Sequence, residues 1–326
     1  MITDVNRVPR VSVIVPVYNA EHSLVELVDR IQTVMTGEGL GYEVLLINDA
    51  SRDASWTVIQ ELARSNGCIR GVNFSRNFGQ HNALLCGIRL ARGAVIVTLD
   101  DDLQNPPEAI PVLLAELKPG IDVVYGTPLA MKFGVWRSLA SIITKVVLAR
   151  AMGADTARKI SAFRAFKTEV RRAFRQYNAP LVNIDVLLTW GTTRFTSVDV
   201  RQDSRKFGTS NYTFARLVTH TINMATGFST MPLRVASVVG FACALFGVCL
   251  LAYVLGRYVI MGTTVPGFPF LASVIAIFSG AQMFSMGVMG EYLARMYFRS
   301  MDQPVYLVSD DTLTVEQGLQ DDRTSS

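Results

Sequence analysis

The chain has 326 residues, half of them hydrophobic and only 18% charged, with a net charge of +4 and a mean hydropathy of +0.29. Soluble domains carry about a quarter charged residues, so this balance argues against a wholly soluble protein and places part of the chain in lipid. Four scattered cysteines (Cys68, Cys86, Cys243, Cys249) and three scattered histidines (His22, His81, His220) argue against a disulfide scaffold or zinc site, and the basic excess is too small for a nucleic-acid partner.

The first apolar run, Val11 to Val17, is broken by Ser12 and Pro16 and is too short for a signal-peptide core, so the bulk of the chain is expected in the cytoplasm. From there short β-rich runs alternate with helical patterns. Val11–Val15, Glu43–Ile47, Ile69–Phe74, Ala94–Leu99 and Asp122–Tyr125 read as strands; Ser23–Met35, Ala54–Ser65, Gln80–Ala91 and Pro107–Leu117 read as helices. Ser51 or Asp53 is expected to cap the second helix and Gly93 to end the third. Regular alternation predicts an α/β fold with a parallel sheet, whose ligands bind at the carboxyl ends of the strands.

Those strand ends carry no GxxxxGK[ST] loop and no GxGxxG turn. They are acidic: Asn48-Asp49-Ala50-Ser51-Arg52-Asp53 follows the second strand, and Asp100-Asp101-Asp102-Leu103-Gln104 the fourth. Three adjacent aspartates repel one another, a cost that a hard divalent cation removes. In an extended segment Asp100, Asp102 and Gln104 share one side, which makes them a candidate oxygen-donor set for Mg²⁺ or Mn²⁺.

Between Val235 and Gly290 the only charge is Arg257. Val235–Leu255 and Thr263–Gly290 are each long enough to cross a bilayer, with Gly280, Gly287 and Gly290 suited to close helix packing. Arg205, Lys206, Arg216 and Arg234 precede the pair, and Arg295 and Arg299 follow it. By the positive-inside rule both ends are cytoplasmic. Tyr212–Phe228 reads as an amphipathic interfacial helix or, alternatively, an ordinary linker helix. Residues 309–326 carry five acids against Arg323, a local charge of −4 that leaves +8 before them, and are expected to be a disordered tail. The expected organisation is a cytoplasmic α/β domain over 1–210, an amphipathic segment over 211–231, two spans within 232–292, and a cytoplasmic C-terminal segment over 293–326.

Taken in order, Val13-Ile14-Val15-Pro16-Val17-Tyr18-Asn19, Asn48 to Asp53, Ser75-Arg76-Asn77-Phe78-Gly79-Gln80 and Leu99 to Glu108 resemble a known family. It is that of the family 2, GT-A-fold glycosyltransferases of the polyprenyl-phosphate type, whose members include dolichyl-phosphate mannose synthase and bacterial undecaprenyl-phosphate glucose and aminoarabinose transferases. The likeness runs from about Val11 to Tyr306 and includes Arg205 to Ser210 and Gly290 to Arg295.

The resemblance implies an inverting transferase that moves a sugar from a UDP- or GDP-linked donor to a polyprenyl phosphate, in the cell inner membrane, as a possible homo-tetramer. It implies that Pro16, Tyr18 and Asp49 line the base pocket, that Asn19 and Glu21 belong to the nucleotide-sugar site, and that Arg76, Asn77, Gly79 and Gln80 shape the donor floor. Asp100 and Asp101 join that donor site; Asp100, Asp102 and Gln104 hold the metal that bridges the diphosphate. Arg137 and Arg164 match basic positions that meet phosphates, and Arg158, Lys159, Ser161, Arg205 and Ser210 face the acceptor phosphate.

Four positions depart from the family pattern: Ala20 for an acid, Asn48 for the first Asp of a pair, Asn211 for a Lys, and Arg158 or Lys159 for an Asp taken as the base. A sugar hydroxyl must shed a proton as it attacks, whereas a lipid monophosphate is already ionised near neutral pH. The missing base therefore weighs against a hydroxyl acceptor more than against a phosphate; Asp155 or Asp185 could stand in as the acid. Transfer to a saccharide hydroxyl, and an inactive membrane scaffold, remain as alternatives to this function.

Overall fold

The computed structural model describes residues 9–128, 160–179, 181–203, 230–261 and 267–313. The chain divides into two units, Met1–Tyr212 with Gln303–Ser326, and Thr213–Asp302.

The first unit is built on one eight-stranded sheet of order β7-β5-β6-β4-β1-β2-β3-β8. Its centre is β1 (Val11–Val17), flanked in parallel by β2 (Tyr42–Asn48) and β4 (Val95–Thr98), with β3 (Ile69–Phe74) parallel to β2. All seven residues of β1 are buried, as its unbroken apolar run requires of a strand covered on both faces. Pro16 is tolerated there for a local reason. Ile14 accepts from Leu99 on the β4 side, so Pro16, two residues on, turns its missing N–H to that side beyond the last paired residues, Ile14 and Thr98.

Side chains alternate between two cores. Val13, Val15, Val44 and Leu46 pack with α1 (Leu24–Gly37), α2 (Ser55–Ser65) and α4 (Ile110–Glu116). Ile14, Leu45 and Ile47 pack on the opposite face with α3 (Gln80–Leu90) and α5 (Ile184–Gly191). The four predicted helices and five predicted strands are all present within a few residues of their expected ends.

Three expectations are corrected. The sheet is mixed, because β6 (Arg164–Lys167) runs antiparallel to both β4 and β5 (Val123–Pro128), and β7 (Phe195–Val200) then lies parallel to β5. Gly93 does not end α3, which closes at Ala91. Instead it lets two strands' ends approach: its N–H donates to the Ser12 hydroxyl at 2.8 Å, and a Cβ there would meet the Ser12 nitrogen at 2.7 Å. The tail is not disordered from residue 309: Val308–Asp311 forms β8, antiparallel to β3, because Arg70 pairs with Asp311 through two hydrogen bonds and neutralises part of its acidity.

The second unit is an antiparallel pair, α6 (Met231–Met261) and α7 (Gly267–Ser300), with Leu233 beside Tyr292 and Gly247 beside Phe278. Both are long and apolar enough to cross a membrane. The helices outrun the predicted spans at their charged ends, where Glu291 and Arg295 pair one turn apart at 2.6 Å. The amphipathic segment expected before α6 lies outside the described residues as far as 229.

Candidate active site

Because β4, β1, β2 and β3 are parallel neighbours, their carboxyl ends bring four sequence-distant loops to one edge of the sheet. Tyr18 and Asn19 leave β1, Asp49 leaves β2, Ser75–Gln80 leave β3 and Asp100–Gln104 leave β4.

Backbone-to-side-chain hydrogen bonds knit these loops. Asn19 sits in the left-handed region (φ 54°); its N–H donates to Ser51 Oγ at 3.0 Å, and its Oδ1 accepts from the Arg52 N–H at 2.8 Å. The Glu21 N–H donates to Asp53, and the Glu21 carboxylate accepts from the Ala54 N–H at 2.7 Å. Thus Glu21 satisfies a donor at the start of α2, the helix whose expected cap was Ser51 or Asp53; Asp53 contributes by accepting from Ser55 N–H and hydroxyl. Burial would raise the Asp53 carboxyl, but those Ser55 bonds and the Glu21 N–H outweigh it and hold the group low. Ala20 leaves room for this exchange; its N–H donates to Ser55 Oγ.

The departure at Asn48 has a direct explanation. Its amide donates to Asn73 Oδ1 at 2.7 Å and accepts from Ser51, a pairing that an ionised Asp, which only accepts, does not make.

Asp49, expected to face a base, is buried and holds the next loop: Oδ1 accepts from Phe78 N–H at 2.6 Å and Oδ2 from Gly79 N–H at 2.8 Å. Burial raises its carboxyl, and these two N–H groups oppose the rise without cancelling it. Gly79 takes φ +98°, which a side chain adopts only with strain, so a glycine is needed where the loop turns into α3. Arg76 lies over the Phe78 ring at 4.6 Å, Asn77 is exposed, and Gln80 reaches across to Asp100 at 2.7 Å. The floor residues and the acidic loop are therefore brought together.

The aspartates do not keep the extended alternation assumed for them, because β4 ends at Thr98 and the chain turns at Asp101 and Asp102. Asp102 accepts from the Gln104 N–H at 3.1 Å, and Leu103 adopts φ 59°. Asp101 points into the protein and accepts from the Tyr18 N–H at 3.0 Å. Burial, with the charges of Asp100 and Asp102, pushes its carboxyl up to about 7 against that N–H. Among the described residues no three His, Cys, Asp or Glu side chains converge as a complete cage. Two carboxylates and an amide oxygen are hard donors all the same, a set that fits a divalent ion sharing its shell with substrate phosphates.

Arg164, expected at a phosphate, is instead 1% exposed. Its guanidinium forms a buried ion pair with Asp185, which also accepts from Tyr125 OH at 3.0 Å, and its Nε donates to Thr98 Oγ1 at 3.1 Å. The buried charge lies beside Thr98, the last residue of β4. Ser161 accepts from the Phe163 N–H at 3.2 Å. Arg137, Asp155, Arg158, Lys159, Arg205 and Ser210 lie outside the described residues.

Asn73, Ser55 and Thr98, which also set the loop geometry, were not among the expected site residues. Their signal is faint, since short polar residues at strand ends and helix starts are common everywhere.

Comparison with solved structures first defines the class. The chain superposes on mannosyl-3-phosphoglycerate synthase from Rubrobacter xylanophilus with a TM-score of 0.52 at 15% identity, over 67% of this chain and 72% of that one. It superposes on glucosyl-3-phosphoglycerate synthase from Mycobacterium tuberculosis, in complex with Mn²⁺, UDP and glucosyl-3-phosphoglycerate, with 0.51 at 20% identity, over 67% and 78%. The fold is the GT-A fold of sugar-nucleotide transferases. Residues 12–173 match glycosyl transferase family 2. The chain belongs to that family and is a glycosyltransferase.

Full-length relatives are undecaprenyl-phosphate 4-deoxy-4-formamido-L-arabinose transferases. That of Pectobacterium carotovorum is 33% identical over 93% of this chain and 94% of its own length. That of Shewanella sediminis is 34% identical over 92% of each.

Proposed function

We propose that this glycosyltransferase moves a sugar from a nucleotide-sugar donor to a polyprenyl phosphate, with inversion, at the cytoplasmic face of the inner membrane. The observation that carries the reading is a set of acidic loops at four parallel strand ends in a chain that also bears two apolar helices and is similar over 93% of its length to an undecaprenyl-phosphate sugar transferase.

Tyr18, Asn19 and the Ser75–Gln80 loop would bind the nucleotide. Asp49 serves this reading by fixing the Phe78 and Gly79 amides, so that the floor of the donor site is set before the donor arrives. Asp100, Asp102 and Gln104 would hold Mg²⁺ or Mn²⁺, as hard donors do. When bound, such an ion offsets the charge that develops on the leaving diphosphate. Gln80, bonded to Asp100, would orient that carboxylate toward the cleft's phosphate end.

A phosphate acceptor suits the residues better than a hydroxyl. Asp185, one of the acids considered as a base, is committed to Arg164 and Tyr125 in the interior. A lipid phosphate needs no base, and Arg158, Lys159, Arg205 and Ser210 would orient its oxyanion for attack on the anomeric carbon. The two apolar helices, crossing as a pair, would keep the cleft near the lipid.

The test is a donor screen with purified full-length protein, short-chain polyprenyl phosphate, Mg²⁺ or Mn²⁺, and a panel of UDP- and GDP-sugars, read by lipid-product mass. One sugar added to the lipid phosphate supports the reading. A product formed only on a saccharide hydroxyl, with the lipid phosphate untouched, would overturn it.

A further inference from the structure

The chain does not finish its catalytic unit before it enters α6. Residues 303–313, which follow the second apolar helix, return to that unit and add β8 to the free edge of β3. Val305 is buried there, Gly71 N–H donates to Thr312 Oγ1 at 3.0 Å, and Asn73 Nδ2 donates to Asp310 at 3.2 Å. The contacts continue past the end of β3 into the loop of the donor site, where Ser75 N–H donates to the Leu307 carbonyl at 3.0 Å.

A file of rings runs along the same path. Tyr306 stacks on Phe74 with centroids 5.2 Å apart and planes 5° from parallel. Phe74 meets Phe78 edge-on at 5.7 Å, and Phe78 carries the Arg76 guanidinium on its face at 4.6 Å. Phe78 is also the residue whose N–H is held by Asp49. From the other side, Arg89 approaches the Tyr306 ring at 5.6 Å and bonds the Tyr177 carbonyl, which fixes where the ring lies.

We propose that Tyr306 is a positioning residue for the nucleotide site. The C-terminal strand, through the stack Tyr306–Phe74–Phe78, holds the Ser75–Gln80 loop in the shape that keeps the Phe78 and Gly79 amides on Asp49 and Arg76 beside the donor site. Tyr306 touches no substrate in this scheme. It acts through Phe74 and Phe78, and its removal loosens a loop whose ordering the donor must then supply on binding.

The part of this inference that concerns the donor rests on the function proposed above, so two readouts are needed. In full-length protein in detergent, hydrogen exchange at the Phe78 and Gly79 amides reports the loop without any ligand, and calorimetry with UDP or GDP plus Mn²⁺ reports the site. An aromatic pair lost to Tyr306→Ala is expected to speed exchange at both amides, and to weaken binding, by about three- to tenfold. Tyr306→Phe keeps the stack and loses the long Arg89 bond to the Tyr306 hydroxyl at 3.4 Å, so both are expected to stay within about twofold of wild type. Asp311→Asn, which weakens the Arg70 pair without emptying core volume, is expected to move both in the same direction by a smaller factor.

Wild-type exchange at Phe78 and Gly79 in Tyr306→Ala would overturn the proposal, as would equal losses in Tyr306→Phe and Tyr306→Ala. Wild-type protein that binds neither nucleotide, while exchange responds as expected, would refute the donor assignment and uphold the hold on the loop.

Discussion

Arg164 separates two accounts of the same residue most sharply. If it met a phosphate, replacing it would cost activity and leave the fold alone. In the structure it is a buried cation bonded to Asp185 and Thr98, so Arg164→Ala leaves the Asp185 carboxylate in the interior beside the Tyr125 hydroxyl and without its cation. Breaking one side of a buried pair costs about 3–5 kcal/mol, mostly as the penalty for the stranded charge. For a unit of this size that corresponds to a fall in melting temperature of roughly 6–20 °C. The double variant Arg164→Met with Asp185→Leu removes both charges and is expected to recover most of the loss, since apolar replacements of buried pairs are often neutral. Thermal melts of the detergent-solubilised protein, with transfer rates normalised to the folded fraction, check this. A melting temperature within about 2 °C of wild type, with transfer abolished, would refute the argument.

Other outcomes follow from single residues. Asp102→Ala is expected to abolish sugar transfer while membrane insertion, read by carbonate extraction, stays intact; near-normal transfer in purified protein would remove Asp102 from the cation site. Gly93→Ala is expected to destabilise by about 1–3 kcal/mol in denaturant titrations, because its Cβ would stand 2.7 Å from the Ser12 backbone nitrogen, which cannot swing aside. Asp122 gives an acid-dependent signature. Burial alone would raise its carboxyl, but the Thr192 hydroxyl, Arg194 and Lys167 outweigh it and hold the group down at about 2. A carboxylate depressed in the folded state stabilises above its unfolded value near 4 and loses that contribution as pH falls through 2. The stability gap between wild type and Asp122→Asn should therefore be about 2 kcal/mol at pH 6 and narrow by about half at pH 3. A gap that stays constant over that range would contradict the assignment.

The legible parts of the fold were those written in unbroken or periodic apolar patterns. Val11–Val15 announced a strand and the stretch from Val235 to Gly290 announced two long apolar helices, because burial on both faces and exposure to lipid each demand apolar residues continuously. The acidic strand ends were legible for a similar reason: adjacent like charges stand out against a low-charge background. What stayed hidden depended on partners far away in sequence. Nothing local in Val308–Asp311 marks a strand; its pairing is decided by Arg70, some 240 residues earlier, and by the open edge of β3. Arg164 was expected at a phosphate because the family resemblance implied it, and its burial depends on Asp185 and Thr98, brought in from other elements. The aspartate triplet was read with the right neighbours and the wrong backbone, since alternation cannot survive a turn at Asp101.

The pairing of β8 with β3 also constrains topology. Hydrogen bonds between Asn73 and Ser309, and between Arg70 and Asp311, require residues on either side of the α6–α7 pair to share one aqueous compartment. A chain that threads a bilayer once between those residues could never form them, so if α6 crosses, α7 must cross back. The strand thus works as a parity check on insertion: a molecule whose second helix fails to return leaves β3 with an uncovered edge, and such an edge is the kind of surface on which misassembled chains pair with one another.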